Sequence, residues 1–129
     1  MASAGPSGGV FLFGGQRDTV PHLVDTLWLW NGSTWRAVAD EGPHHRGMAA
    51  MAFDTRRAVL VLYGGTQGSV GRSSGTRYGD TWEWDGRTWT RRDVPGPSPR
   101  AHAEMVADER RGVLTLFGGS SYTNETWEW

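Results

Sequence analysis

At 129 residues, with 13 basic and 14 acidic side chains and a net charge of −1, the chain has the length of one domain and lacks the basic field of a non-specific nucleic-acid binder. Cysteine is absent, which excludes a disulfide framework, a thiolate metal site and a cysteine nucleophile. Eight Trp and 19 Gly suit short strands joined by tight turns.

Residues 1–9 have no basic start and no apolar run of signal-peptide length, and read as a flexible leader. No later stretch approaches the roughly 18 continuous apolar residues of a membrane span, so no membrane partner is expected.

Residues 10–45 read as three strands. Val10-Phe11-Leu12-Phe13 is a short apolar run closing on Gly14-Gly15, as expected of a strand buried on both faces, with glycines supplying the positive φ or close approach needed to leave it. After a polar connection from Gln16 to Val24, Asp25-Thr26-Leu27-Trp28-Leu29-Trp30 alternates so that its two tryptophans share one face. Asn31-Gly32 predicts a two-residue hairpin of the primed type, and the return strand carries Trp35.

Residues 46–99 read as four strands. The first runs from Arg46 to Asp54 and is rich in small residues (Gly47, Ala49, Ala50, Ala52), which suits close approach to its equivalents. Asp54-Thr55-Arg56-Arg57 turns the chain into Val59-Leu60-Val61-Leu62-Tyr63, which ends in Gly64-Gly65. A Gly/Ser-rich connection from Thr66 to Gly79 leads to Asp80-Thr81-Trp82-Glu83-Trp84, the Asp85-Gly86 hairpin and a last strand with Trp89. Residues 100–129 repeat the plan without its last strand: Arg100 to Asp108, Val113 to Gly118-Gly119, then Glu125-Thr126-Trp127-Glu128-Trp129.

Trp30 lies 34 positions before Gly64, and Trp84 lies 34 before Gly118. Self-similarity with a period near fifty predicts a stacked or radial array, and the period-two patterning makes the fold all-β. The unit is a four-stranded antiparallel sheet, complete over 46–99 and partial over 10–45 and 100–129.

These residues resemble the kelch repeat: an Arg opening a small-residue strand, an apolar strand ending in Gly-Gly, an acidic-Thr-Trp strand and a further Trp after a short turn. The run from Asp80 to Trp89 is similar to the bacterial, galactose-oxidase-like subset, and the likeness covers nearly all of Val10 to Trp129. Many relatives place a His three residues after the Arg, where this chain has Ala49 and Ala103, with His102 one position early. The resemblance implies blades of a β-propeller. About two and a half blades cannot close a ring, which needs at least about four. Most simply, the chain is a segment of a longer propeller. The alternatives are a homodimer completing a six-bladed ring and a stable open arc.

Alternating strand direction puts the connections after Gly-Gly and those ahead of the Arg strands on one face, and the length variation falls there. A constant frame with one variable loop face is how a scaffold presents a binding surface. The candidates on it are Arg17, His44, Arg46, Arg72, Arg77, Tyr78, Arg100, His102 and Tyr122. Arg72, Arg77 and Tyr78 suit an acidic or planar ligand, or belong to a Gly/Ser loop with solvated charges. Arg46 and Arg100 form part of a basic ring for carboxylates, or pair with Asp25, Asp80 or Glu125.

No metal site is expected. His44 and His45 are adjacent and point apart in an extended chain, His102 has no partner at i+2 or i+4, and His22 lies in a separate loop. Glu83 and Glu128 recur with the repeat, which favours sheet-surface roles over an acid/base pair. In relatives that oxidise alcohols with a copper radical, the resemblance implies a Tyr–Cys cofactor, which a chain without Cys cannot build. Ser residues cluster in Gly-rich loops and indicate no hydrolase triad. Arg56-Arg57 and Arg110-Arg111 read as solvated turn charges. The expected function is therefore a non-catalytic scaffold for a protein or carbohydrate ligand, with no cofactor. The alternative is the propeller part of a larger secreted carbohydrate-active enzyme whose catalytic residues lie elsewhere.

Overall fold

The computed structural model describes residues 1–15, 24–67, 75–120 and 124–129. Among them the protein is all-β with no α-helix; the one helical piece is a 3-10 turn at Gly5–Ser7. The first sheet pairs β1 (Ala2–Ser3), β2 (Val10–Phe13), β3 (Leu27–Trp30) and β4 (Trp35–Ala39) in that order. The second begins with β5 (Ala50–Asp54) and β6 (Val59–Tyr63). A small ribbon of β7 (Thr66–Gln67) and β8 (Thr76–Arg77) follows, and β9 (Thr81–Trp84) and β10 (Trp89–Arg92) complete the order β5-β6-β9-β10. In the third, β11 (Ala103–Asp108) pairs with β12 (Val113–Gly118), which pairs with β13 (Thr126–Glu128).

Period-two alternation gives each strand two faces, and the sheets stack in chain order through them. Phe11 and Leu27 of the first sheet meet Met51, Leu60, Leu62 and Trp84 of the second in one apolar cluster. Ala50, Ala52, Val61 and Tyr63, on the other face of the second sheet, meet Ala103, Met105, Leu114 and Leu116 of the third. The middle sheet is thus covered on both faces. Each fully buried Leu contributes roughly 1.5–3 kcal/mol relative to an exposed one. The sheets approach most closely at β1, β5 and β11. The alanines of β5 and β11 allow that approach, whereas Trp82, Trp84 and Trp89 keep the outer strands further apart.

The tryptophans of the second and third sheets face the sheet before them. Trp84 meets the Phe11 ring edge-on at 5.3 Å between centroids, and Trp129 lies 5.7 Å from the Tyr63 ring. Trp28 and Trp30 are half-buried on the uncovered side of the first sheet. Trp127 and Trp129 of the third sheet turn toward the second. What the third sheet leaves open instead is Val106 (61% exposed) and Phe117 (55% exposed).

Four expectations change. The flexible leader is not a leader throughout: Ala2 pairs with Phe11 and Ser3 with Val10, Ala4 is buried, and the first sheet gains a fourth strand. The small-residue strands start at Ala50 and Ala103, not at the arginines, because Met48 and His102 take φ of 58° and 59° and break the extended path. The Asn31 and Asp85 hairpins are four-residue loops in which only the glycine has positive φ. Asn31 Oδ1 accepts from the Ser33 and Thr34 amides, and Asp85 Oδ1 accepts from those of Arg87 and Thr88. Finally, register places Leu27 opposite Phe13, as Thr81 is opposite Tyr63 and Thr126 opposite Phe117. Thr26, not Asp25, therefore stands where Asp80 and Glu125 stand.

The Gly-Gly pairs behave as read. Gly64 and Gly65 have φ of 67° and 98°, and a Cβ on Gly64 would collide with the Arg100 carbonyl oxygen.

Candidate functional site

The connections leaving the Gly-Gly pairs and those leading to β5 and β11 meet on one face, as strand alternation requires. Gly47 and Thr66 exchange backbone hydrogen bonds at 3.0 and 2.9 Å, and the Arg100 amide donates to the Tyr78 carbonyl at 3.0 Å. The Gly65 amide donates to the Arg100 carbonyl at 2.9 Å, so the glycine exit of one sheet is tied to the arginine of the next.

Arg46 and Arg100 anchor this face from below. Arg46 is 1% exposed, and its Nε donates to the His44 carbonyl. Its two terminal nitrogens form a fork on Asp80 at 2.6 and 3.1 Å, and one of them also reaches the Gly64 carbonyl at 2.9 Å. Arg100 is fully buried and repeats the pattern toward the Ser98 carbonyl, the Gly118 carbonyl and Glu125. Each guanidinium nitrogen has a partner within the protein, and the pairing with Asp80 and Glu125 is the role observed. Asp25 receives neither.

Burial pushes the Asp80 carboxyl up, but hydrogen bonds from Arg46 and Trp82 and the Arg46 charge outweigh it and hold the group below its ordinary 3.8. Asp54 behaves likewise: burial raises it, and Arg57 more than reverses the effect. Both folded values lie below the unfolded one, so the stabilisation is complete above the unfolded pKa and is lost as pH falls through the folded one. Melting temperature should drop between about pH 5 and pH 1. Asp80→Asn should flatten that drop, as a calorimetric pH series would record.

Above Arg46 lies the accessible part. The Tyr78 ring covers the guanidinium at 4.0 Å from its centroid. The Tyr78 hydroxyl donates to Gln67 Oε1 at 3.0 Å, and Gln67 Nε2 lies 2.9 Å from His45 Nε2. Because the Gln67 amide nitrogen can only donate, His45 Nε2 is the acceptor. Gln67 is exposed, His45 and Tyr78 are half-buried, and Arg77 and His44 are exposed beside them. His102 is exposed, with its amide on the Met48 carbonyl. Of the sequence candidates the structure places Tyr78 over Arg46, whose Nε is held by the His44 carbonyl, while Arg77 pairs with Thr66 in the small ribbon. Arg17, Arg72 and Tyr122 lie outside the described residues, as does His22.

Sequence reasoning missed Gln67 and His45. The only available signal was the Thr-Gln and Thr-Arg pairs at 66–67 and 76–77, whose β-formers pair as β7 and β8 inside what reads as a Gly/Ser loop. Gly71-Arg72-Ser73-Ser74-Gly75 does have G-x-S-x-G spacing, but the chain continues into β8, whereas the nucleophile elbow joins a strand to a helix. Among the described residues no three His, Asp or Glu side chains gather as a metal site. Glu83 is buried between Arg57 and Arg92, which clamp it on the face of the second sheet.

No model of a known protein family matches the chain. It is similar to the flagellar outer arm dynein alpha chain of Chlamydomonas reinhardtii, 30% identical over 96 residues that cover 70% of this chain. The chain spans about 2% of the length of that curated relative.

Proposed function

We propose that the chain is a segment of a kelch-type β-propeller serving as a non-catalytic scaffold, and that it binds a protein or glycan ligand through the face of Gln67, Tyr78 and His45. Three sheets stacked in chain order, the second and third each setting its tryptophans against the sheet before, support the propeller reading. The similarity to a small part of a flagellar outer arm dynein chain fits a module carried within a large assembly protein.

One observation carries the binding reading: an exposed amide and a half-exposed phenol, held in fixed hydrogen-bonded positions over a fully committed Arg46–Asp80 pair. Preorganised polar and aromatic groups on a rigid frame lose little entropy on binding. A glycan array and a peptide-display selection would supply ligands. Gln67→Ala and Tyr78→Phe leave the frame in place, and each should weaken a selected ligand at least about tenfold, or about 1.4 kcal/mol. Ligands that bind both variants as tightly as the wild type would overturn this assignment.

A further inference from the structure

Where the chain leaving β4 meets the β9–β10 hairpin, the first and second sheets enclose a groove of about 450 Å³. That volume falls within the roughly 300–1,000 Å³ of small-molecule sites. Val38 and Ala39 line it from the first sheet, and Trp82 and Trp89 from the second. Strand pairing sets both indoles on one face, since Trp89 lies opposite Trp84, two residues on from Trp82. Each is half-buried and gives the groove apolar surface. None of these residues belongs to the face of Gln67, Tyr78 and His45.

Polar groups complete the lining. Asp40 and Glu41 follow β4, Arg87 and Thr88 close the hairpin turn, and all four are exposed. Elsewhere Arg57, Arg92 and Arg111 each rest on a carboxylate. Asp40, Glu41 and Arg87 have no ion-pair partner among the described residues, so both signs of charge face the groove uncommitted.

The carboxylates are held there by close packing. Gly42 lies directly on the Trp89 ring, where a Cβ would collide with the indole, so the segment that carries Asp40 and Glu41 is seated against the groove wall. Trp89 Nε1 beside it is buried and has no acceptor among the described residues. An indole N–H left in that state is sensitive to any polar group brought to the wall.

The mixed lining selects the ligand. Two carboxylates disfavour an anion, and Arg87 disfavours a cation. A neutral polyol satisfies both kinds of group, because its hydroxyls donate to carboxylates and accept from a guanidinium, while Thr88 does either. A pyranose adds a C–H face to set against the indoles. We infer that this groove binds a neutral saccharide, with hydroxyls bridging the Asp40–Glu41 pair to Arg87 and the sugar ring resting on Trp82 and Trp89.

Titration of the full chain with cellobiose, maltose, lactose and N,N′-diacetylchitobiose tests this, read from the indole N–H resonances. At least one sugar should shift Trp82 and Trp89 saturably and leave Trp127 unmoved. The exposed-residue variants Arg87→Met and Asp40→Ala with Glu41→Ala should keep the strand spectrum. Each should weaken that binding about tenfold, the scale of one charged hydrogen bond. Gln67→Ala and Tyr78→Phe should leave it unchanged, so that a failure of the ligand face proposed above and a failure of this groove are told apart. The inference is overturned if no sugar shifts either indole, or if the shifts are indifferent to both groove variants or abolished by the Gln67 or Tyr78 variant. Tighter binding of choline, glucuronate or an end-capped uncharged dipeptide at these indoles would overturn it as well.

Discussion

Arg46→Ala is expected to destabilise the fold by about 3–5 kcal/mol, the cost of removing one partner from a buried ion pair. The Arg46 side chain is fully buried and its Asp80 partner is 13% exposed, so truncation strands a desolvated carboxylate. It also removes the donor to the Gly64 carbonyl and the cation beneath Tyr78. Against a total of about 5–15 kcal/mol, this approaches unfolding for a small domain. Arg100→Ala makes the informative comparison. Its partner Glu125 is 49% exposed and stays solvated when the arginine goes. The loss there reduces mainly to hydrogen bonds such as that to Gly118, about 1–3 kcal/mol. Urea unfolding of both variants should rank Arg46 well above Arg100. Equal losses would show that partner burial does not set the cost.

Leu62→Ala should cost about 2–5 kcal/mol, through lost transfer energy and the cavity left behind. Leu62 is fully buried between the first and second sheets, among Met51, Leu60 and Trp84. The backbone around it is fixed on both sides, since β6 pairs with β5 and β9, and the site has little freedom to collapse. Val94→Ala is the control: it is 47% exposed, outside the strands, and should change stability by less than about 0.5 kcal/mol. Chemical denaturation would separate the two directly.

Much of the fold was legible because its signals are local. Alternation in Val59–Tyr63 and Thr81–Trp84 dictates which side chains share a face, and Gly64-Gly65 marks a backbone that only glycine tolerates. The turn at Asp54 was legible too, since an Asp side chain can accept from amides two and three residues on, as it does from Arg56 and Arg57. The opacity begins where a choice is tertiary. Alternation tells that Trp127 and Trp129 lie together, not which neighbouring sheet they meet. β1 is two residues long and carries no periodicity of its own; it becomes a strand because β2 presents a free edge. Matching Asp25-Thr26 to Asp80-Thr81 by identity failed because one residue is gained before Trp28, where the pairing of β3 with β4 also shifts.

The candidate site divides the same way. Arg46 and Arg100 with Asp80 and Glu125 were visible as opposite charges at repeat-equivalent positions. Gln67 was not, since a lone amide in a Gly/Ser stretch has no pattern until β7 and β8 pair and bring it to Tyr78 and His45.

The central claim is that three sheets stack face to face in chain order, the second and third each turning its tryptophans onto its predecessor. Nuclear Overhauser contacts from the indoles test it most directly. The account predicts cross-peaks from Trp84 to the Phe11 ring and from Trp129 to the Tyr63 ring, with the Met105 methyl reaching Ala50 or Ala52. Indole contacts of Trp127 and Trp129 with Phe117 and Val106 of their own chain, and none between sheets, would contradict it.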